Sequence, residues 1–195
     1  EIHVQAPPRF NELTAKRLLG TANLYLLGRK SKFSPVAQQA AVDAVVAGNP
    51  DVVLFTGDLT AQALDAEFSQ ARALLSPILD RFPTIMIPGN HDTYVRETTP
   101  GERMREIFGR WMGDGMPAVH DFGEVVFLSM ETCRLHPLSA GWTPQEQFAQ
   151  AEALLEAHKD RFVFLCIHYP LLGRRGEPYG PATRALANGA QFREW

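Results

Sequence analysis

Apolar positions along the chain switch repeatedly between helical and strand-like spacing. Ser34-Pro35 predicts a helix start, with Ser as N-cap and Pro in the first turn. Val36, Ala37, Ala40, Ala41, Ala44 and Val45 then recur at helical intervals and predict its buried face. Gly48-Asn49-Pro50 ends it. Residues 51–56 follow, with the unbroken run Val52, Val53, Leu54, Phe55 expected of a strand covered on both faces. A second helix is predicted over 65–79, with Phe68, Ala71, Leu75 and Ile78 on one face. A strand is predicted over 84–87, and a helix over 102–112 through Met104, Ile107, Phe108 and Trp111. Strands over 118–122 and 125–130 flank Gly123-Glu124, which reads as a hairpin turn. Thr143-Pro144-Gln145-Glu146 has capping-box spacing and predicts a helix start. A strand over 162–167 and a final helix from Pro181 through Leu186 and Ala190 complete the series. Strands alternating with helices imply an α/β layered fold with helices packed on sheet faces.

At 195 residues the chain is long enough for one domain with a full core, and a single domain over 1–195 is expected. No internal repeat, low-complexity tract or linker interrupts it. With 45% apolar and 21% charged residues the composition is that of an ordinary globular protein. The net charge of -3 argues against a partner that is a nucleic-acid polymer or an anionic membrane. The basic run Arg29-Lys30-Ser31-Lys32 reads as a solvated loop. No apolar stretch approaches the roughly 18 residues a membrane-spanning helix needs. Two cysteines are too few for a disulfide framework, and Cys166, inside an apolar run, reads as a core residue. No signal peptide is visible and a cytoplasmic location is expected; a leader stays open because the first residue is not Met.

Three polar clusters stand directly after three apolar strands. Gly57-Asp58-Leu59-Thr60 follows the first, Gly89-Asn90-His91-Asp92 the second, and His168-Tyr169-Pro170 the last. Sites in open α/β sheets form outside the carboxyl ends of strands. If the three strands are parallel neighbours, Asp58, Asn90, His91 and His168 meet on one rim. Carboxylate, amide oxygen and imidazole suit hard or borderline divalent cations, and the absence of a thiolate separates the set from structural zinc sites. Taken singly, Gly-Asp is more often a turn and a lone His more often a hydrogen-bonded loop residue. The joint occurrence, in order and always at strand ends, outweighs that.

These motifs resemble those of the calcineurin-like metallophosphoesterases, whose ordered set is Asp-x-His, Gly-Asp, Gly-Asn-His-[Asp/Glu], a lone His, and Gly-His-x-His. Gly57-Asp58, Gly89-Asn90-His91-Asp92 and His168 match the middle three. The variants are similar to the bacterial cyclic-nucleotide phosphodiesterase branch. At the start, His3 fits the first motif while Glu1 stands where Asp is expected; Gly-His-x-His is absent. The chain therefore reads as cut short at both ends, without the first and last strands of the family's helix-flanked β-sandwich.

The resemblance implies two divalent metal ions (Mn, Fe or Zn). Asp58 would bridge them, His3 and Glu1 would bind the first, and Asn90 and His168 the second. His91 would stabilise charge on the phosphate or protonate the leaving oxygen, oriented by Asp92. The implied reaction is hydrolysis of a phosphate ester by a hydroxide held between the metals. A small phosphodiester is the leading substrate, a cyclic nucleotide among the candidates. A phosphomonoesterase or pyrophosphatase of the same fold is the nearest alternative, and a non-catalytic binding scaffold is the rival from another class. Since His91 and Asp92 are both present, the enzyme reading leads, although the truncated chain alone is expected to be weakly active or inactive. Among the other polar residues, His136, Arg174 and Arg175 are candidates for the pocket rim, while structural roles are expected for His120 and His158. The sequence leaves the oligomeric state unread.

Overall fold

The computed structural model describes residues 2–26, 33–94, 101–136 and 139–195. Glu1 and the basic run 29–32 lie outside them. The helices are α1 (Ala15–Tyr25), α2 (Pro35–Gly48), α3 (Asp65–Leu79), α4 (Glu102–Phe108), α5 (Gln145–Ala157) and α6 (Gly189–Glu194). The strands are β1 (Val53–Phe55), β2 (Thr84–Met86), β3 (Ala118–Phe122), β4 (Val125–Ser129) and β5 (Phe162–Cys166).

Two sheets form. In one, β1 and β2 run parallel, pairing Val53 with Thr84 and Phe55 with Met86. In the other, β4 is central, antiparallel to β3 and parallel to β5. The period of two along each strand separates the layers. Val53, Phe55 and Met86 pack outward against Val42, Phe68, Leu75, Met104 and Phe108 of α2, α3 and α4. Their neighbours Leu54, Ile85 and Ile87 pack inward on Phe127 and Cys166 of the second sheet. On that sheet's far face, Leu128, Met130 and Val163 carry Phe148 and Ala151 of α5 and Phe192 of α6. The order helices, sheet, sheet, helices is the layered α/β arrangement the alternation implies and the helix-flanked β-sandwich the resemblance implies.

Most elements lie where the apolar spacing puts them, and α3 has the expected bounds with Phe68, Ala71, Leu75 and Ile78 all buried. The hairpin turns at Gly123, whose φ of 77° is readily reached without a Cβ. Ser34 caps α2 by accepting from the Ala37 amide, and Asn49 ends it in the left-handed region.

Four expectations change. The buried face of α2 is Gln38, Val42, Val45 and Val46, while Val36, Ala37, Ala40, Ala41 and Ala44 are exposed. A run of alanines satisfies several helical phases, and the longer side chains decide which one packs. Helix α5 does start near Thr143, but without the capping box. The Thr143 hydroxyl donates to the Glu131 carbonyl at 2.8 Å, and Pro144 is the N-cap. The final helix shortens to α6, preceded by a single 3₁₀ turn at Ala182–Arg184. Finally, β5 is not a neighbour of β1 and β2; it lies at the edge of the second sheet, with Phe162, Phe164 and Leu165 exposed. Helix α1 had no sequence prediction. It is capped by Thr14, yet its buried positions are Arg17 and Leu24 while Leu18 and Leu19 face outward, so apolar spacing gives no signal for it.

Candidate metal centre

The carboxyl ends of β1, β2 and β5 supply the loops of one polar cluster, with two loops from one sheet and the third from the other. The route to convergence is therefore across the sandwich, not along a single rim. After β1 the chain turns through Gly57 and Asp58 with φ of 98° and 56°. After β2 it turns at Gly89, where the Asp92 and Thr93 amides donate to the Gly89 carbonyl. His168 follows β5, its amide donating to the Thr132 hydroxyl at 3.3 Å.

Asp58 is the centre. It is buried, and its two carboxylate oxygens face different histidines: Oδ2 lies 3.6 Å from His3 Nε2, and Oδ1 lies 3.6 Å from His168 Nε2. Oδ1 also accepts the His91 amide at 2.9 Å. His3 reaches this position because residues 2–4 are stitched to the loop after β1. The Ile2 and His3 amides donate to the Asp58 carbonyl, and Val4 pairs with Leu59 and Ala61. Gln38 of α2 holds the Ile2 carbonyl at 2.6 Å. His3 itself adopts φ 46°, so two of the proposed ligands, His3 and Asp58, occupy the left-handed backbone region that ordinary residues avoid.

Tautomers follow from partners. His168 Nδ1 is 2.6 Å from the Thr56 carbonyl, and a carbonyl can only accept, so the proton is on Nδ1. In the neutral ring Nε2 then presents a lone pair to Asn90 Oδ1 at 3.1 Å and to Asp58 Oδ1. Electron-rich atoms converging in this way fit a cation between them, and a carbonyl behind the ring is the usual partner of a metal-binding imidazole. His91 is fixed likewise: Nδ1–H donates to the Ala61 carbonyl at 2.7 Å, which in the neutral ring puts the lone pair on Nε2. Its ring meets His3 edge-on at 4.8 Å and stacks on Tyr94. Ligand atoms of His3, Asp58 and His91 all lie within 4.8 Å of one another, so the geometry groups His91 with the ligands as well.

Asp92 departs from expectation. Its carboxylate accepts from the amides of Leu59, Thr60 and Gly89 and from the Thr60 hydroxyl, at 2.9–3.2 Å, and does not reach the imidazole of His91. It is a tie between the loops after β1 and β2. Burial, with the Asp58 charge adding to it, pushes its carboxyl above the usual range while the hydrogen bonds from Gly89 and Thr60 pull the other way. The Ala61 carbonyl takes the orienting role instead. Backbone carbonyls carry no signature in a sequence, so nothing marked that one.

Five of the predicted residues, His3, Asp58, Asn90, His91 and His168, line one pocket of about 230 Å³. Its other wall is Ser139, Tyr169, Pro170, Tyr179 and Arg184. Arg184, not Arg174 or Arg175, brings the cation, and His136 is not in the lining. Tyr169 is anchored by donating its hydroxyl to the Ser139 carbonyl at 2.7 Å, and burial pushes its phenol well above the usual range. His120 faces Ser129 across the β3–β4 pair at 3.2 Å and His158 is the C-cap of α5, as structural roles require. A larger cavity of about 770 Å³ beside α1, α2 and α3 is lined, among the described residues, by no acid, histidine or cation.

A helix-flanked double sheet with imidazole, carboxylate and amide groups gathered on its strand-end loops is an arrangement suited to metal-dependent hydrolysis of phosphate esters. The chain belongs to the calcineurin-like phosphoesterase family, whose sequence model matches residues 29–191. No curated protein matches it. Divalent metals are the family's general cofactors and phosphate esters its substrates. No helix among the described residues is long and apolar enough to cross a membrane.

Proposed function

We propose that the protein hydrolyses a small phosphodiester, with cyclic nucleotides among the candidates, at a centre for two divalent ions of the Mn, Fe or Zn type. One observation carries the reading: each oxygen of the single carboxylate Asp58 faces a different imidazole at 3.6 Å. That is the arrangement expected of a bridge. His3 would serve one ion, and Asn90 with His168 the other. When bound, the ions would neutralise phosphoryl charge and lower the pKa of water. His91, with Nδ1–H held by Ala61, would aim Nε2 at the pocket and donate a proton to the leaving oxygen. Asp92 would hold the two loops in register. Arg184 and Tyr179 face the space left for the ester.

A second reading, with His91 itself a metal ligand, is supported by its grouping with His3 and Asp58. Metal content separates the two. In the full-length protein, His168→Ala should lose one metal equivalent, while His91→Ala should keep both and lose about a hundredfold or more in turnover of bis(p-nitrophenyl) phosphate. Loss of metal from His91→Ala makes it a ligand. Turnover by the wild-type protein no faster than by metal alone would sink the hydrolase reading.

A further inference from the structure

Glu67 is fully buried on α3, and neither it nor Arg17 of α1 lines the pocket. Both act on loop 61–64. The Glu67 carboxylate accepts the amides of Gln62 at 2.8 Å, Leu64 at 3.2 Å and Ala6 at 3.3 Å. Arg17 works on the loop's carbonyls. Its Nε donates to Gln62 at 3.1 Å and its Nη2 to Ala63 at 2.6 Å, while Nη1 donates to Glu12. The loop needs restraint, because Ala63 sits at φ 52°, a conformation that persists for a residue with a Cβ only when its surroundings impose it.

The same loop begins at Ala61, whose carbonyl receives His91 Nδ1–H. The His91 backbone is anchored elsewhere, its amide on Asp58 and its carbonyl sharing the one Thr60 hydroxyl proton with Asp92. The loop therefore acts directly on the imidazole's rotation, while it reaches the His91 backbone only through the Ala63 amide on the Thr60 hydroxyl. We propose that Glu67 and Arg17 are positioning residues for His91: gripping loop 61–64 by its amides and carbonyls, they fix the Ala61 carbonyl that sets the ring's tautomer and aim. Ala6 links the same carboxylate to the segment bearing His3, so both sides of the pocket are registered to one buried group. This rests on His91 acting as the proton donor, as proposed above.

The test is a set of variants in the full-length, metal-loaded protein. Glu67→Gln puts an amide N–H against at least one backbone N–H in either orientation. It should lower kcat about tenfold, leave KM within about twofold, and keep the metal content. In a His91→Ala background it should cost nothing more. By NMR, the hydrogen-bonded His91 Nδ1–H, assigned by its loss in His91→Ala, should shift or broaden. Costs that multiply in the double variant, or an unchanged Nδ1–H signal, overturn the proposal. If Glu67→Gln does not fold, Arg17→Met, which strips the carbonyl side of the grip, takes the same readouts with the same expected and overturning results. If His91→Ala alone is fully active, the proton-donor reading fails first, and that outcome is distinct from multiplying costs.

Discussion

Gly57 and Gly89 stand back to back. A Cβ on Gly57 would lie 2.3 Å from the Gly89 amide nitrogen, and a Cβ on Gly89 would lie 2.2 Å from both the amide nitrogen and Oδ1 of Asp58. The loops after β1 and β2 approach so closely that hydrogen atoms alone fit between them. This contact places Asp58 within reach of the His91 amide, and so couples the two glycines of the motifs to the metal centre.

Gly89→Ala should therefore damage folding and metal binding together. The nearest atoms are backbone and the Asp58 carboxylate, neither of which can yield as a flexible side chain would. A loss of about 3 kcal/mol in denaturant unfolding is expected, with weakened metal affinity. A variant of wild-type stability that fills with metal normally would contradict the close approach.

Asp92→Asn tests the tie between loops. Each carboxylate oxygen of Asp92 accepts two donors. An amide turns one of those acceptors into a donor facing two others, which costs about 2–4 kcal/mol for buried groups. Stability and turnover should fall together, whereas His91→Ala should lower turnover with the melting temperature nearly unchanged. Thermal melts of both variants beside kcat decide it; an Asp92→Asn protein as stable as wild type would refute the tie.

Glu67 makes stability depend on pH. Burial pushes its carboxyl up to about 7, against the hydrogen bonds from Gln62, Leu64 and Ala6 that pull it down. In the unfolded chain it ionises near the usual glutamate value, so over the window from there to about 7 the unfolded state binds fewer protons than the folded one. Stability then falls as pH rises. The contribution is fully present below the lower value and lost above the upper, an amplitude of roughly 3 kcal/mol. The measurement is the difference in unfolding free energy between wild type and Glu67→Gln across this window. It should shift steadily against the wild type as pH increases, and a flat difference would rule the shift out. Glu131, also pushed up to about 7 by burial, is common to both proteins and cancels.

Much of this molecule was written locally. The 3.6-residue recurrence of Phe68, Ala71, Leu75 and Ile78 determined α3 to its bounds, because one buried stripe satisfies only one helical phase. Gly123-Glu124 determined the hairpin. Clusters at strand ends pointed to Asp58, Asn90, His91 and His168 and the family resemblance to His3, and these five, assigned to metal or phosphate, meet in one pocket. The tertiary structure decided how they meet. His168 takes its tautomer from the Thr56 carbonyl, 112 residues away, and it comes from a different sheet than Asp58 and Asn90. Asp92 turned to backbone amides, and a bare carbonyl at Ala61 took over His91. Periodicity reports which face of an element is buried; it holds no information on which sheet a strand joins or where a backbone oxygen points. Those depend on packing between distant segments, and at this site they set the direction of every imidazole whose hydrogen bond fixes its tautomer.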